Sequence, residues 1–233
     1  LGFACCVTAF PFLWMAVSSL KTKEEVLDTA SFLPSVPQFG NYRSILADSP
    51  IPGYLANSFF VSLAAAAIQL VCCALFTYAV TFMKIRGRDM LFRLVLFTYM
   101  VPTAVTYIPC YIILSRMGLL DSYQGLILSN GVSVFGIFLL HQAFEAVPKE
   151  TMEAARMDGA GHLSILTRII VPMTRPSFMT FILLSFINTY NSYMWPSLIT
   201  DSPNLSLISQ GLRRFLYEGG AYGTQWSLVM AAG

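Results

Sequence analysis

The densest set of side chains with chemistry to offer lies between Pro148 and Pro172, in the stretch P-K-E-T-M-E-A-A-R-M-D-G-A-G-H-L-S-I-L-T-R-I-I-V-P. Pro148 opens a helix there, because its missing N–H is not needed in a first turn. Glu150 and Glu153 suit the positive N-terminal end of that helix, and Gly159 with Gly161 permits a sharp exit. A second helical piece with Leu163, Leu166, Ile169 and Ile170 at helical spacing is expected to end before Pro172. Ala154, Ala155 and Ala160 keep part of the surface small, so that a groove in another protein can approach the backbone, while Glu153, Arg156 and Asp158 supply polar rim contacts. This is docking chemistry. The plainer alternative is an amphipathic loop resting on lipid headgroups. A second group, Asn130, Asn188, Tyr190, Asn191, Tyr193 and Trp195, places amides and aromatic faces in otherwise apolar surroundings. Such groups either bind a solute or hydrogen-bond neighbouring helices.

The elements that position these groups are membrane spans. Hydrophobic residues make up 56% of the chain and charged residues 11%, which lies on the membrane side of soluble averages. Apolar runs near the required length of about 20 residues define six transmembrane helices in an all-α membrane protein, one permeation domain over 1–233. The expected spans are 1–20, 57–83, 91–114, 123–144, 177–199 and 225–233. The last is cut short, as expected of a trimmed chain that also starts without Met. Loops at 21–56, with a short surface helix near Tyr42 to Leu46, and at 200–222 face outside, while 145–176 is a charged connecting element. Pro102, Pro109 and Pro196 are expected to kink their spans. Of the 14 Lys and Arg, eight (Lys84, Arg86, Arg88, Arg93, Lys149, Arg156, Arg168 and Arg175) crowd the turn at 84–93 and the 145–176 element. The bias of basic residues toward the cytoplasm puts both on that side, together with the N-terminus.

Several functions are excluded. The stretches 55–83, 94–115 and 177–200 contain no Asp, Glu, Lys or Arg, so they offer none of the buried ionisable groups that proton relays and voltage sensors need. His141, near a span end, reads as an interfacial side chain with its polar edge in water. No lysine follows a glycine in the phosphate-loop pattern, so the chain is not expected to bind ATP or any other cofactor. There is no constellation for catalysis and no metal-ligand spacing. The five cysteines lie in apolar runs and read as small buried hydrophobes. A formal charge of +2 suggests no nucleic-acid partner.

Glu153-Ala154-Ala155, three residues, Gly159, nine residues, Ile169, one residue, then Val171-Pro172 resembles the E-A-A-x3-G-x9-I-x-L-P signature of ABC-importer permeases, with Val171 in place of its Leu. The resemblance extends to the maltose and multiple-sugar (carbohydrate uptake) type. It is carried by Pro11-Phe12-Leu13-Trp14 to Lys21, Asn57-Ser58, Asp121-Ser122-Tyr123, Val147-Pro148 and Asp158-Gly159-Ala160. Asn191 five residues before Pro196, with Tyr190 for the usual Trp, and Trp226 with Met230-Ala231-Ala232 add to it. It implies a permease subunit in the bacterial inner membrane that works with a second permease, an ATPase dimer carrying ATP and Mg2+, and an extracytoplasmic solute-binding protein. On that reading the coupling helix uses Glu153, Ala154, Ala155, Arg156, Asp158 and Gly159, and a sugar-like solute meets the amide and aromatic set. Glycerol phosphate or another polar solute is the alternative within the class, and a docking scaffold without transport the alternative outside it.

Overall fold

The computed structural model describes residues 2–28, 31–218 and 226–232, all of them in helices, turns and connecting segments. Residue 1, residues 219–225 of the second expected loop and last span, and Gly233 lie outside the described residues. The chain divides into two compact units, 1–58 with 202–233, and 59–201. In order, the helices are α1 (Gly2–Ser18), α2 (Lys23–Leu27), α3 (Gly40–Asp48) and α4 (Ile51–Phe82). Then come α5 (Arg88–Thr98), α6 (Thr103–Arg116), α7 (Tyr123–Leu128), α8 (Val134–Glu145) and α9 (Lys149–Met157). The short α10 (His162–Ile165) continues through a π turn, Leu166–Ile170, into α11 (Val171–Met173). Helices α12 (Arg175–Tyr190), α13 (Met194–Ile199), α14 (Ile208–Glu218) and α15 (Trp226–Ala232) complete the order.

Among the described residues the expected spans differ in form, several being bent or interrupted. Only α4, with 32 residues, is long and apolar enough to cross a bilayer as one straight helix. The span expected at 91–114 is α5 and α6, bent by 102°. Helix α5 ends at Thr98, and Pro102, extended at ψ 129 and without an N–H to continue a ladder, stands as the N-cap of α6. Pro109 sits inside α6 without breaking it. The span expected at 123–144 is interrupted between α7 and α8, and the one at 177–199 between α12 and α13, at residues 191–193. Pro196 therefore lies within a helix that follows the break.

The helix through Leu166 does not stop before Pro172, as the sequence suggested. A π turn intervenes, and the Val171 N–H bonds five residues back to the Leu166 carbonyl. This shifts the ladder where the Pro172 ring would otherwise collide with the carbonyl four residues earlier. The chain turns sharply two residues after Pro172, at Thr174, where α10–α11 and α12 meet at 87°.

In the 59–201 unit the core gathers Cys73, Tyr78, Ile137, Leu140, Phe144, Met152, Ala155, Ile165, Ile170, Phe178 and Phe181. Helices α4, α8, α9, α10 and α12 thus share one apolar interior. The outer surface is apolar too: Ile108, Phe97, Met100 and Leu94 are all well exposed. Exposed apolar surface on this scale fits a lipid-facing or subunit-facing wall. It also corrects the reading of the cysteines. Cys73 is buried, but Cys5, Cys6, Cys72 and Cys110 are exposed, because in a membrane an apolar side chain is equally at home on the outside.

The 1–58 and 202–233 unit is ordered by polar ties. Lys21 is fully buried, donates from Nζ to the Ser31 carbonyl at 2.6 Å and lies 5.0 Å from the Trp14 ring centroid. Asn41 Nδ2 donates to the carbonyls of Ser19 and Lys21, at 2.8 and 3.1 Å. The first expected loop contains the surface helix foreseen near Tyr42, as α3, and also α2, which was not foreseen. The second expected loop carries α14. Thr22 and Glu25 form a capping box on α2, and the Ser35 N–H donates to Glu25 Oε1 at 3.1 Å.

Two predictions follow from this packing. A Cβ on Gly136 would come within 2.2 Å of the buried Phe181 ring, so Gly136→Ala should destabilise the solubilised protein by about 1–3 kcal/mol, read as a lower melting temperature. Hydrogen bonds from Ser35 and Thr22 hold the Glu25 carboxyl down from 4.5 to about 2. Because the folded value is depressed, the tie is fully present above pH 4.5 and is lost as pH falls through about 2. Limited proteolysis of the 22–35 segment should accelerate across that window in the native protein and show no such step in Glu25→Gln.

Candidate functional site at the broken helices

Helix α4 sends a stripe of polar side chains, one turn apart, toward the interrupted α7–α8 segment. Gln69 Nε2 donates to the Asn130 carbonyl at 2.6 Å. Cys73 Sγ lies 3.4 Å from the Ser133 carbonyl, and Thr77 Oγ1 lies 3.4 Å from that of Ile137. A helix break inside a membrane leaves backbone groups without ladder partners, and such groups are costly in hydrocarbon. Gln69 answers this need at the Asn130 carbonyl, Cys73 and Thr77 continue the contact along the first turn of α8, and Ser133 Oγ accepts from the Gly136 N–H at 3.1 Å to cap that helix. Ser185 of α12 donates to Gln69 Oε1 at 2.6 Å in a buried contact, so α4, α12 and the α7–α8 connection meet on one amide.

Two clefts of about 180 Å3 each open at this level and share Asn130 and Ser192. One is bounded by Thr103, Thr106, Tyr107, Ser129 and Trp195. The other is bounded by Gln69, Ser133, Ser185, Asn188 and Thr189. Trp195 is buried, stacks on Tyr107 with ring centroids 5.4 Å apart and donates from Nε1 to Ser129 Oγ at 2.8 Å. Every polar group lining the two clefts is a neutral amide, hydroxyl, thiol or indole. The arrangement offers hydrogen bonds and aromatic faces and, among the described residues, no charged side chain.

Of the residues singled out in the sequence, Asn130, Asn188 and Trp195 line these clefts; Tyr190, Asn191 and Tyr193 do not. Tyr190 stacks instead on Phe186, with centroids 5.6 Å apart. Asn130 spends its amide on the Leu126 carbonyl at 2.9 Å. Gln69, Ser129, Ser185, Thr189, Ser192 and Tyr107 were missed. Gln69 had a signal: it is the lone amide between Ser62 and Thr77 in an apolar run, and such a residue usually reaches another helix.

The second candidate site is α9. Its N-cap is Pro148, one position earlier than a first-turn proline. The helix ends in two bonds, Gly159 N–H to Arg156 O at 3.0 Å and Ala160 N–H to Ala155 O at 2.9 Å, with Gly159 at φ +79. This is the Schellman arrangement, which favours glycine at the left-handed position. Met152 and Ala155 face the core, whereas Glu153, Ala154, Arg156, Met157 and Asp158 are exposed. Ala155 thus lets α9 pack closely on the bundle, and the outward surface is built from its neighbours. Arg156 Nη2 donates to the Phe82 carbonyl at the end of α4, at 3.0 Å, and Tyr78 Oη is 2.9 Å from His162 Nδ1.

Removing the Ser185 hydroxyl strands a buried amide oxygen on Gln69. Ser185→Ala should therefore cost about 1–3 kcal/mol, measured as a lower melting temperature.

Comparison with known proteins places these features. The chain is 30% identical over 230 residues to the sn-glycerol-3-phosphate transport system permease protein UgpE of Pectobacterium atrosepticum, covering 96% of this chain and 82% of that one. It is 34% identical over 184 residues to the UgpE protein of Yersinia pestis, covering 79% of this chain and 65% of that one. Among solved structures, a bacterial ABC transporter involved in the import of the acidic polysaccharide alginate matches with a TM-score of 0.89 at 25% identity, over 99% of this chain and 86% of that chain. Residues 70–232 match the family described as binding-protein-dependent transport system inner membrane component. The chain belongs to that family, the permease subunits of ABC importers.

Proposed function

We propose that this subunit carries a polyhydroxylated, sugar-like solute across the inner membrane through the clefts at its broken helices, driven by a partner ATPase dimer that α9 engages. The observation that carries the solute class is the lining of those clefts: neutral amides and hydroxyls beside the stacked Tyr107–Trp195 pair. Hydroxyl groups exchange hydrogen bonds with such donors and acceptors, and sugar faces pack on aromatic rings. Asn130, Asn188 and Trp195 then contact the solute, with Gln69 holding the site in shape. Residues 1–233 act as one permease domain with six membrane crossings, several built from bent or interrupted helices, and a cytoplasmic N-terminus.

In this reading α9 is the coupling helix. Its exposed Glu153, Ala154, Arg156 and Asp158 seat in the ATPase, Gly159 sets the exit angle, and Ala155 anchors the helix to the bundle. ATP and Mg2+ bind the ATPase, no cofactor binds this chain, and a solute-binding protein and a second permease complete the importer.

A second reading has its own support. The relatives from Pectobacterium and Yersinia are named for sn-glycerol 3-phosphate. A phosphate would need cations that these clefts lack, so the partner permease would have to supply them.

ATP hydrolysis by the complex in lipid nanodiscs, with its binding protein and a panel of neutral oligosaccharides, uronate oligosaccharides and sn-glycerol 3-phosphate, separates the readings. Stimulation by a neutral sugar is expected, and Glu153→Ala and Gly159→Asp should reduce it at least tenfold without preventing membrane insertion. Stimulation by glycerol phosphate alone overturns the sugar assignment, and normal coupling in both variants overturns the role of α9.

A further inference from the structure

Helices α5 and α8 lie side by side in opposite directions, with Phe92 stacked on His141 at a centroid distance of 3.9 Å midway along the seam. A cavity opens at each end of the seam, and the two differ in chemistry. At the Arg88 and Glu145 end, a cleft of about 500 Å3 is bounded by four cations, Lys84, Arg88, Lys149 and Arg156, against two carboxylates, Glu145 and Glu153. At the other end, an apolar groove of about 360 Å3 is bounded by Leu96, Tyr99, Val134, Phe135 and Phe138. Arg88 and Leu96 are eight residues apart on α5, which at 1.5 Å per residue separates the two openings by about 12 Å.

The cationic end is built rather than incidental. Arg88 Nη1 donates to the Thr81 carbonyl at 3.2 Å, and Arg156 Nη2 donates to that of Phe82 at 3.0 Å. Both guanidiniums are therefore held at the C-terminus of α4, where cations are favoured, and each has further N–H donors beyond the one so used. Arg88 also pairs with Asp89 at 3.4 Å, and Glu145 lies 3.8 Å from His141 Nδ1. The cleft's own lining keeps an excess of two positive charges. Between the openings, α5 turns the apolar side chains of Leu91 and Leu94 outward.

From this pairing of a cationic cleft with an apolar groove along one helix seam we infer a binding site for an anionic phospholipid, its phosphate on the side of the cleft formed by Lys84, Arg88 and Lys149, away from the edge of α9 proposed to meet the ATPase, and an acyl chain in the Leu96–Phe138 groove. A soluble phosphate has no use for the groove, and a zwitterionic lipid gains little from the net charge. The inference rests on the proposed topology, in which 84–88 and 145–149 meet the cytoplasmic leaflet, where anionic lipids attract basic side chains by about fivefold in affinity for each charge.

Native mass spectrometry of the purified complex, from micelles doped with phosphatidylglycerol or phosphatidylcholine, tests it. Phosphatidylglycerol should be retained in preference to phosphatidylcholine. Retention should fall about fivefold in Lys84→Gln and about 25-fold when Lys149→Gln is added. Leu96→Trp, which fills the groove, should also weaken it. Equal retention of the two lipids, or full retention in the double variant, overturns the inference. So does displacement by inorganic phosphate or sn-glycerol 3-phosphate, which would make the cleft a site for soluble phosphate. Loss of the ATPase from the double variant with lipid retention intact would make it a protein-docking surface and overturns it as well. The topology is checked separately, by labelling Lys84→Cys with an impermeant thiol reagent in a cysteine-free background from each side of the membrane. Labelling from outside refutes the topology, whatever the lipid result.

Discussion

A helix interrupted inside a bilayer frees carbonyl and amide groups where no water can reach them, and the 59–201 unit is arranged around the answer to that cost. Gln69, Cys73 and Thr77 stand one helical turn apart on α4 and meet the carbonyl of Asn130 in the break between α7 and α8 and those of Ser133 and Ile137 along the first turn of α8. Of the three contacts the Gln69 bond, at 2.6 Å, is the strong one, and it is coupled to α12 through Ser185. Breaking this node would leave two buried amide groups unsatisfied together. In a low-dielectric surrounding such a network behaves as a unit and is worth more than separate bonds in water. The clefts exist because the helices part here, and they are polar because the parting must be satisfied.

The same unit ties α9 to the membrane bundle. Met152 and Ala155 are part of the core that includes Phe144, Ile165, Ile170 and Phe178. Burying a methionine side chain contributes about 1.5–3 kcal/mol, and the Arg156 bond to the end of α4 and the Tyr78–His162 contact add polar fixings on either side. A push on the exposed edge of α9 therefore acts on α4 and α8, the helices that border the clefts. Packed interiors transmit such displacement because they have few voids to absorb it. The π turn at Leu166–Ile170 and the 87° corner after it are the places where this rigid path changes direction.

Charge is distributed with the opposite logic in the two regions. The clefts at the broken helices contain none, so a solute would meet fixed dipoles and aromatic faces. The end of α4 collects cations, where the unsatisfied C-terminal carbonyls attract them and headgroup phosphates would complete the balance. Lys21 is the exception, a buried cation in the 1–58 and 202–233 unit whose partners are a carbonyl and an indole ring. Its long methylene stem makes such burial feasible, and the carbonyl satisfies part of its donor capacity.

Much of this was legible in the chain itself. Apolar runs without charge located apolar helices, the E-A-A-x3-G spacing marked the family, and Gly159, which the sequence suggested as a helix exit, occupies a left-handed position. The sequence by itself could not say where the helices break. Pro102 stands at a 102° bend and Pro109 lies inside a continuous helix, although the two are alike as prolines in one apolar run. Nor could it separate core from outer wall: Cys73 is buried and Cys72 exposed within the same apolar run, since lipid tails and protein interior reward the same side chains. Which amides line a cleft was likewise a tertiary decision. Asn191 and Gln69 look alike as isolated amides, and only the crossing of α4, α8 and α12 turns one to the cleft and leaves the other at a helix end.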